Sequence, residues 1–206
     1  MYNINLIQNI AIDRKALLKR LGYIDKKQEV SRSFVGLVTA ILDLAHMLIQ
    51  PKQIVNISNI DKFSESSLKL DNGFIIESKN VSNLLQCCSK VFSFVITIGP
   101  KLENKRDHFF KQNEPTQAML LDACGSVAIE TYADKLNKSA ESEFAKKDFI
   151  LTKRYSPGYG DWHISAQKNF LGLLSAKKIG VELNDNFIMT PEKSISALIG
   201  LKSKTK

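Results

Sequence analysis

The sequence is poor in the residues that build disulfide frameworks, metal centres and rigid linkers: 206 residues include 3 Cys, 3 His, 5 Pro and 1 Trp. The cysteine count is odd, and only a strained bridge could join adjacent Cys87 and Cys88. A secreted disulfide framework is therefore excluded as an expectation, and reduced thiols are the default. Cys88 lies just ahead of an apolar run with no base or helix start beside it, so it reads as a buried, inert thiol. No second cysteine pair follows, and His46, His108 and His163 are scattered without ligand spacing, so no metal site is expected. There is no run of about 18 apolar residues to span a bilayer, and Met1-Tyr2-Asn3-Ile4-Asn5 shows no basic segment followed by an apolar signal run. A soluble, cytoplasmic protein is the expectation. Basic stretches interleaved with aromatics are also missing. The 29 Lys and Arg are spread along the chain, so the net charge of +8 argues for solubility or an acidic partner rather than for nucleic acid.

What is present is enough apolar content, 44%, for one compact unit over residues 1–206, with no internal repeat and no low-complexity linker. Alternating Ile4 and Leu6 predict a short opening strand, after which Asp13 caps a helix through Leu17, Leu18 and Leu21 to Gly22. Apolar side chains recur at helical spacing over residues 33–50, from Phe34 to Leu48, and Pro51 ends the run; His46 in this helix reads as a surface or packing residue. Residues 54–78 shift to short alternating runs. There Asp71-Asn72-Gly73 separates Leu68-Lys69-Leu70 from Phe74-Ile75-Ile76, a hairpin signal. These elements form the N-terminal part, residues 1–85.

Residues 82–88 predict one or two helical turns, and the apolar, β-branched run 91–98 predicts a buried central strand broken by Gly99-Pro100. The charged segment 101–111 reads as a helix. Pro115 starts the longest helix, carried through Lys138, in which Gly125 implies a close backbone approach. Residues 141–147 read as a surface excursion and 149–151 as extended chain. The last third holds the loop 156–163, a helix over 165–176, and apolar runs at 187–189 and 194–201 separated by Pro191. Hairpin strands mixed with long helices favour an α+β class with a mainly antiparallel, twisted sheet.

Chemistry concentrates in Arg154-Tyr155-Ser156-Pro157-Gly158-Tyr159-Gly160-Asp161-Trp162. Pro157 fixes one dihedral while Gly158 and Gly160 permit positive φ, so the backbone can fold tightly and approach a ligand with no Cβ in the way. Arg154 offers a planar fork of donors that matches a carboxylate, and Tyr159 and Trp162 offer flat faces for a cation or a purine. On composition alone a second reading stands beside this one: Arg154 pairs with Asp161 while the aromatics fill core. Glu130, on the long helix, reads equally well as an exposed acid free in water.

Arg154-x-x-Pro157-Gly158-Tyr159 is followed in order by Lys178-Ile179-Gly180-Val181-Glu182-Leu183 and Met189-Thr190-Pro191-Glu192-Lys193-Ser194-Ile195-Ser196. Upstream stand Thr97-Ile98-Gly99-Pro100 and Leu121-Asp122-Ala123-Cys124-Gly125-Ser126 leading to Glu130. This ordered set, over residues 90–200, resembles the activation domain of cobalamin-dependent methionine synthase, and in particular the short members that occur without the synthase's other domains. The chain departs from the family at Asp161-Trp162-His163, where a proline often stands, and at Leu198-Ile199, which replace an aromatic pair.

The resemblance implies a module that binds S-adenosylmethionine and presents it to a corrinoid whose cobalt has fallen into an inactive state, so that reduction is trapped by methyl transfer. It implies that Arg154 holds the methionine carboxylate, that Ser156, Pro157, Gly158 and Tyr159 line the adenosine pocket, and that Glu130 faces the same cleft. No catalytic residue is implied, since the cofactors carry the chemistry. No corrinoid-binding Asp-x-His-x-x-Gly segment and no thiolate cluster is present. The cobalamin is therefore expected on a partner, a corrinoid protein or a methionine synthase core lacking this domain, with an acidic flavodoxin-like electron donor suiting the basic balance. His163 invites a cobalt-ligand reading beside that of an ordinary surface histidine. The alternative function is a nucleoside- or corrinoid-binding protein, or a structural partner subunit, that keeps the fold without supporting methyl transfer.

Overall fold

A computed structural model of the chain describes residues 4, 6–23 and 31–204. Ile4 and Leu6 lie in irregular backbone, so the described residues of the opening segment form no strand; their neighbour Asn5 lies outside the described residues. Asp13 caps α1, Arg14–Arg20, by accepting the amide hydrogen of Ala16, and Ser31 caps α2, Arg32–Leu48, by accepting that of Phe34. His46 is an exposed residue with both ring nitrogens engaged: its Nε2 accepts from the Ile12 amide and its Nδ1 meets the Leu42 carbonyl.

The sheet begins with β1, Lys52–Phe63, one strand of 12 residues where the sequence suggested only short runs. Its polar Asn56, Ser58 and Asn59 blur the period-2 signal. Across Asp71-Asn72-Gly73 the expected hairpin forms as β2, Ser67–Leu70, and β3, Ile75–Glu77. Then come α3, Lys79–Leu85, and the central strand β4, Lys90–Thr97, α4, Lys101–Lys111, and the 31-residue α5, Pro115–Ala145. Helix α5 absorbs most of the expected surface excursion, because buried Ala140 and Phe144 keep one face in the core for two further turns. Gly125 fits as anticipated: a Cβ there would stand 2.8 Å from Leu102 and press on the Lys193 stem.

β5, Phe149–Leu151, precedes the motif loop, which leads to α6, Ala166–Leu173. A 3-10 turn at Ala176–Ile179, the small hairpin of β6, Glu182–Leu183, and β7, Met189–Thr190, and the long β8, Ser194–Ser203, complete the chain. The six-stranded sheet has the order β3-β2-β1-β4-β8-β5, and every pairing is antiparallel.

The alternation of β4 divides the core. Phe92, Phe94 and Ile96, with Ala197, Ile199 and Leu201 of β8, face the layer of α1, α2, α4 and α5. Val91 and Val95, with Leu198, face a second layer built from β2, β3, α3, α6 and Trp162. Each fully buried Phe or Ile in this central pair contributes on the order of 1.5–3 kcal/mol. Among the described residues, no helix is long and apolar enough to cross a membrane.

Candidate ligand-binding cleft

The sheet layers leave an open cleft where β5 gives way to the motif loop. Its volume is about 550 Å³, within the range of small-molecule sites. Helix α5 contributes Glu130, the loop contributes Arg154, Tyr155, Ser156, Pro157 and Tyr159, and the opposite wall runs from Phe187 to Ser196. Five of the six residues singled out from sequence thus line one cavity. Gly158 does not; at φ 93° it makes the tight turn in which its amide donates to the Trp162 carbonyl at 2.7 Å.

Arg154 does not pair with Asp161. Its Nη2 donates to Glu130 Oε2 at 3.3 Å and lies 3.7 Å from Asp134 Oδ1, one turn further along α5. Nη1 is buried with no hydrogen-bond partner among the described residues. A buried guanidinium donor without an acceptor costs on the order of 1–3 kcal/mol, so the Arg154 side chain that lines the cleft carries one unsatisfied donor, and its other terminal nitrogen meets two more exposed carboxylates.

Asp161 has a different task. It accepts from the Ser78 hydroxyl at 2.5 Å, the Lys79 amide at 2.7 Å and the Asn80 amide at 3.2 Å, fastening the loop to the start of α3. The Ser78 hydrogen bond, followed by those backbone amides, holds its carboxyl below the usual range. Gly160, at φ 55°, lets the loop pass under Tyr155 and Asn80, where a Cβ would collide with both. Asp161→Ala is expected to lower the melting temperature and to loosen the loop. Asp161→Asn, which keeps an acceptor oxygen, should fall between the two in thermal melts.

Trp162 follows the second of the two readings that the sequence allowed, as a core filler. It is 2% exposed, with its ring 5.5 Å from Phe170 and 6.4 Å from Tyr155, and presents no face to the cleft. The fold turns it inward because the loop closes over α6 and the second core layer needs a large apolar filler there. Tyr159, 69% exposed, keeps an aromatic face on the cleft. His163 lies outside this cleft, and its Nδ1 is engaged by Ser165. Among the described residues there is no metal-binding cluster. Burial pushes the Cys88 thiol up to about 11 and that of Cys124 up to about 12, as inert buried thiols require.

Sequence reasoning gave Phe187 and Ile188 only as part of a short apolar run and missed them as cleft residues. In the β6–β7 turn Asn184 Oδ1 accepts from the Asn186 and Ile188 amides, and Phe187 sits at φ 60°, a conformation that aromatic residues seldom adopt. This turn puts Phe187 on the cleft wall. Only the Asn-Asp-Asn cluster hinted at it.

The wall is braced from behind. Arg106 donates to Glu192 at 2.7 and 3.3 Å and to Asp122 at 3.0 Å, Lys193 Nζ meets Asp122 at 2.8 Å, and the Lys193 amide donates to Glu103 at 2.7 Å. Arg106 holds the Glu192 carboxyl low. Burial raises Asp122, but Lys193 and Arg106 outweigh it and the net shift is downward. Burial dominates at Glu103 and raises its carboxyl. Groups lowered on folding stabilise above their unfolded values and lose that contribution as pH falls. Glu103, being raised, has the opposite sign: its contribution is full in acid and is lost as pH rises. The melting-temperature deficit of Asp122→Asn should therefore be largest above about pH 5 and shrink toward pH 3. A deficit independent of pH would rule out the ionic brace.

The family model for the vitamin B12 dependent methionine synthase activation domain matches residues 81–206. This chain belongs to that family. No curated protein matches this activation-domain chain at a significant level. Among solved structures it is similar to the crystal structure of the MetH reactivation domain bound to AdoHcy, at a TM-score of 0.69 and 13% identity, covering 100% of this chain and 80% of that one. The likeness confirms the α+β fold of the activation domain, including the part that precedes residue 81.

Proposed function

We propose that this chain, acting as one unit over residues 1–206, binds S-adenosylmethionine in the cleft and presents it to a corrinoid held by a separate protein, for reductive reactivation. The observation that carries the proposal is the Arg154 guanidinium, with one buried donor unsatisfied, set beside Glu130 and Asp134 at the mouth of a cavity of suitable size. An amino-acid nucleoside matches this set group for group. Its carboxylate gives the Arg154 fork an acceptor, its ammonium and sulfonium suit the freed carboxylate of Glu130, and its purine suits the face of Tyr159. Ser156 and Pro157 lie between them on the cavity wall. Family membership and the AdoHcy bound to the structural neighbour support the same ligand.

When bound, S-adenosylmethionine supplies an activated methyl group. The chain's own residues bind and orient: Arg154 fixes one end of the ligand, and the loop and the facing wall hold the other. The cobalamin partner is a corrinoid protein or a methionine synthase core lacking its own activation domain. The electron donor is an acidic, flavodoxin-like protein matched to the +8 charge, and the setting is the cytoplasm.

Calorimetric titration with S-adenosylmethionine and S-adenosylhomocysteine tests binding; saturable heat with both is expected, and none at millimolar ligand would overturn the proposal. Adding a reduced corrinoid protein then tests the second half. Methylation of the corrinoid is expected, and binding without methylation would reduce the chain to a carrier or sensor.

A further inference from the structure

The hydrogen-bond parity of β8 exposes a feature that side chains do not show. Leu198 exchanges both of its backbone hydrogen bonds with Tyr155, and Gly200 bonds to Thr152 on the same side. On the opposite side, Lys193 and Leu201 give their carbonyls to Ile98 and Ser89, toward β4. Along an extended strand these directions alternate, so the amides and carbonyls of Ser194 and Ser196 point away from β4, as those of Leu198 do.

On that side the covering chain stops. β5 pairs only with residues 201–203 of β8, and the last contact is the single bridge at Tyr155. Continuing the Tyr155–Leu198 register would put Pro157 opposite Ser196, and proline has no N–H to donate to the Ser196 carbonyl. The proline of the motif loop thus ends the ladder, the chain turns away through Gly158, and a short open strand edge is left where Ser194, Ile195 and Ser196 line the cleft. Among the described residues no strand occupies it. The hydroxyls cannot stand in for a partner, since Ser196 Oγ donates to Gln167 and Ser194 Oγ to the Pro191 carbonyl.

We propose that this edge selects adenine, with the Ser194 carbonyl accepting from the exocyclic N6 amino group and the Ser196 amide donating to N1. The pairing rests on the binding function proposed above. A carbonyl and an amide two residues apart on one side of an extended strand form an acceptor–donor pair, and the N6–N1 edge of adenine is the complementary donor–acceptor pair. Hypoxanthine reverses both groups, presenting an acceptor at position 6 and a donor at N1, so it meets two like groups and is rejected. In this arrangement Arg154 and Glu130 recognise the amino-acid end, Tyr159 offers the purine a stacking face, and the strand-edge backbone tells adenine from other bases.

The test compares S-adenosylhomocysteine with its 1-deaza, 7-deaza and inosine counterparts by calorimetry on the full chain, with amide exchange at Ser196 followed by NMR. Loss of N1 should weaken binding roughly tenfold or more and the inosine ligand should lose further, whereas 7-deaza should stay within about threefold, as expected when a buried donor loses its acceptor. S-adenosylhomocysteine should slow exchange of the Ser196 amide, and the 1-deaza ligand should not. Equal affinity of the 1-deaza and parent ligands, or a Ser196 amide whose exchange ignores the ligand, would overturn the adenine assignment while leaving the binding function in place. Failure of S-adenosylhomocysteine itself to bind would overturn both.

Discussion

Arg154→Ala is expected to weaken S-adenosylmethionine binding by roughly 30- to 900-fold, a loss of about 2–4 kcal/mol. Charge-assisted hydrogen bonds contribute about 1.5–3 kcal/mol each and do not add fully. The ligand-free protein should scarcely change in stability. Removing the guanidinium discards contacts of 3.3 and 3.7 Å to Glu130 and Asp134, but it also removes the buried Nη1 that has no acceptor. The two effects oppose each other, so thermal melts without ligand and calorimetry with ligand separate binding from folding. Arg154→Lys should fall between, keeping the charge and losing the planar fork. An alanine variant that binds as tightly as the native chain would remove Arg154 from the site.

Trp162→Ala is the largest stability effect expected, about 3–5 kcal/mol, because it opens a cavity under the loop and strips ring contacts from both Tyr155 and Phe170. Denaturant unfolding followed by circular dichroism reads it directly, with the midpoint falling and the slope unchanged. Trp162→Phe keeps part of the packing and should lose less. A loss below about 1 kcal/mol for the alanine variant would mean that the loop collapses onto α6 without the indole, and that the ring is not the filler its burial implies.

Those two residues sit eight positions apart in one motif, and the sequence left two readings open for each: a cleft or an ion pair for Arg154, a cleft or the core for Trp162. An arginine near a tight loop has few places to go except a cleft or an ion pair, so its chemistry was legible. The direction of a tryptophan is decided by which surface the loop closes against, and no local period reports that. Asp161 shows the same limit: its partners Ser78, Lys79 and Asn80 lie about eighty residues upstream. The apolar, β-branched run of β4, the Pro115 start of α5 and the Asp71-Asn72-Gly73 turn were readable because local chemistry decides each. β1 was not, since a strand with one polar, half-exposed face carries a weak alternation. The opening strand expected at Ile4 and Leu6 is irregular, because two alternating residues cannot form a ladder without a partner edge.

The Asp161 fastening also bears on what can be inherited or transplanted as a piece. The family match begins at residue 81, yet every group that holds Asp161 lies at residues 78–80, and β1, which covers one side of β4, lies earlier still. A chain trimmed to the matched boundary would keep Arg154, Pro157 and Tyr159 and would still carry the family signature. It would have a loose loop and a bare, apolar central strand for an edge, the kind of surface that pairs with other chains. The recognisable part of the sequence is therefore smaller than the part that has to travel with it.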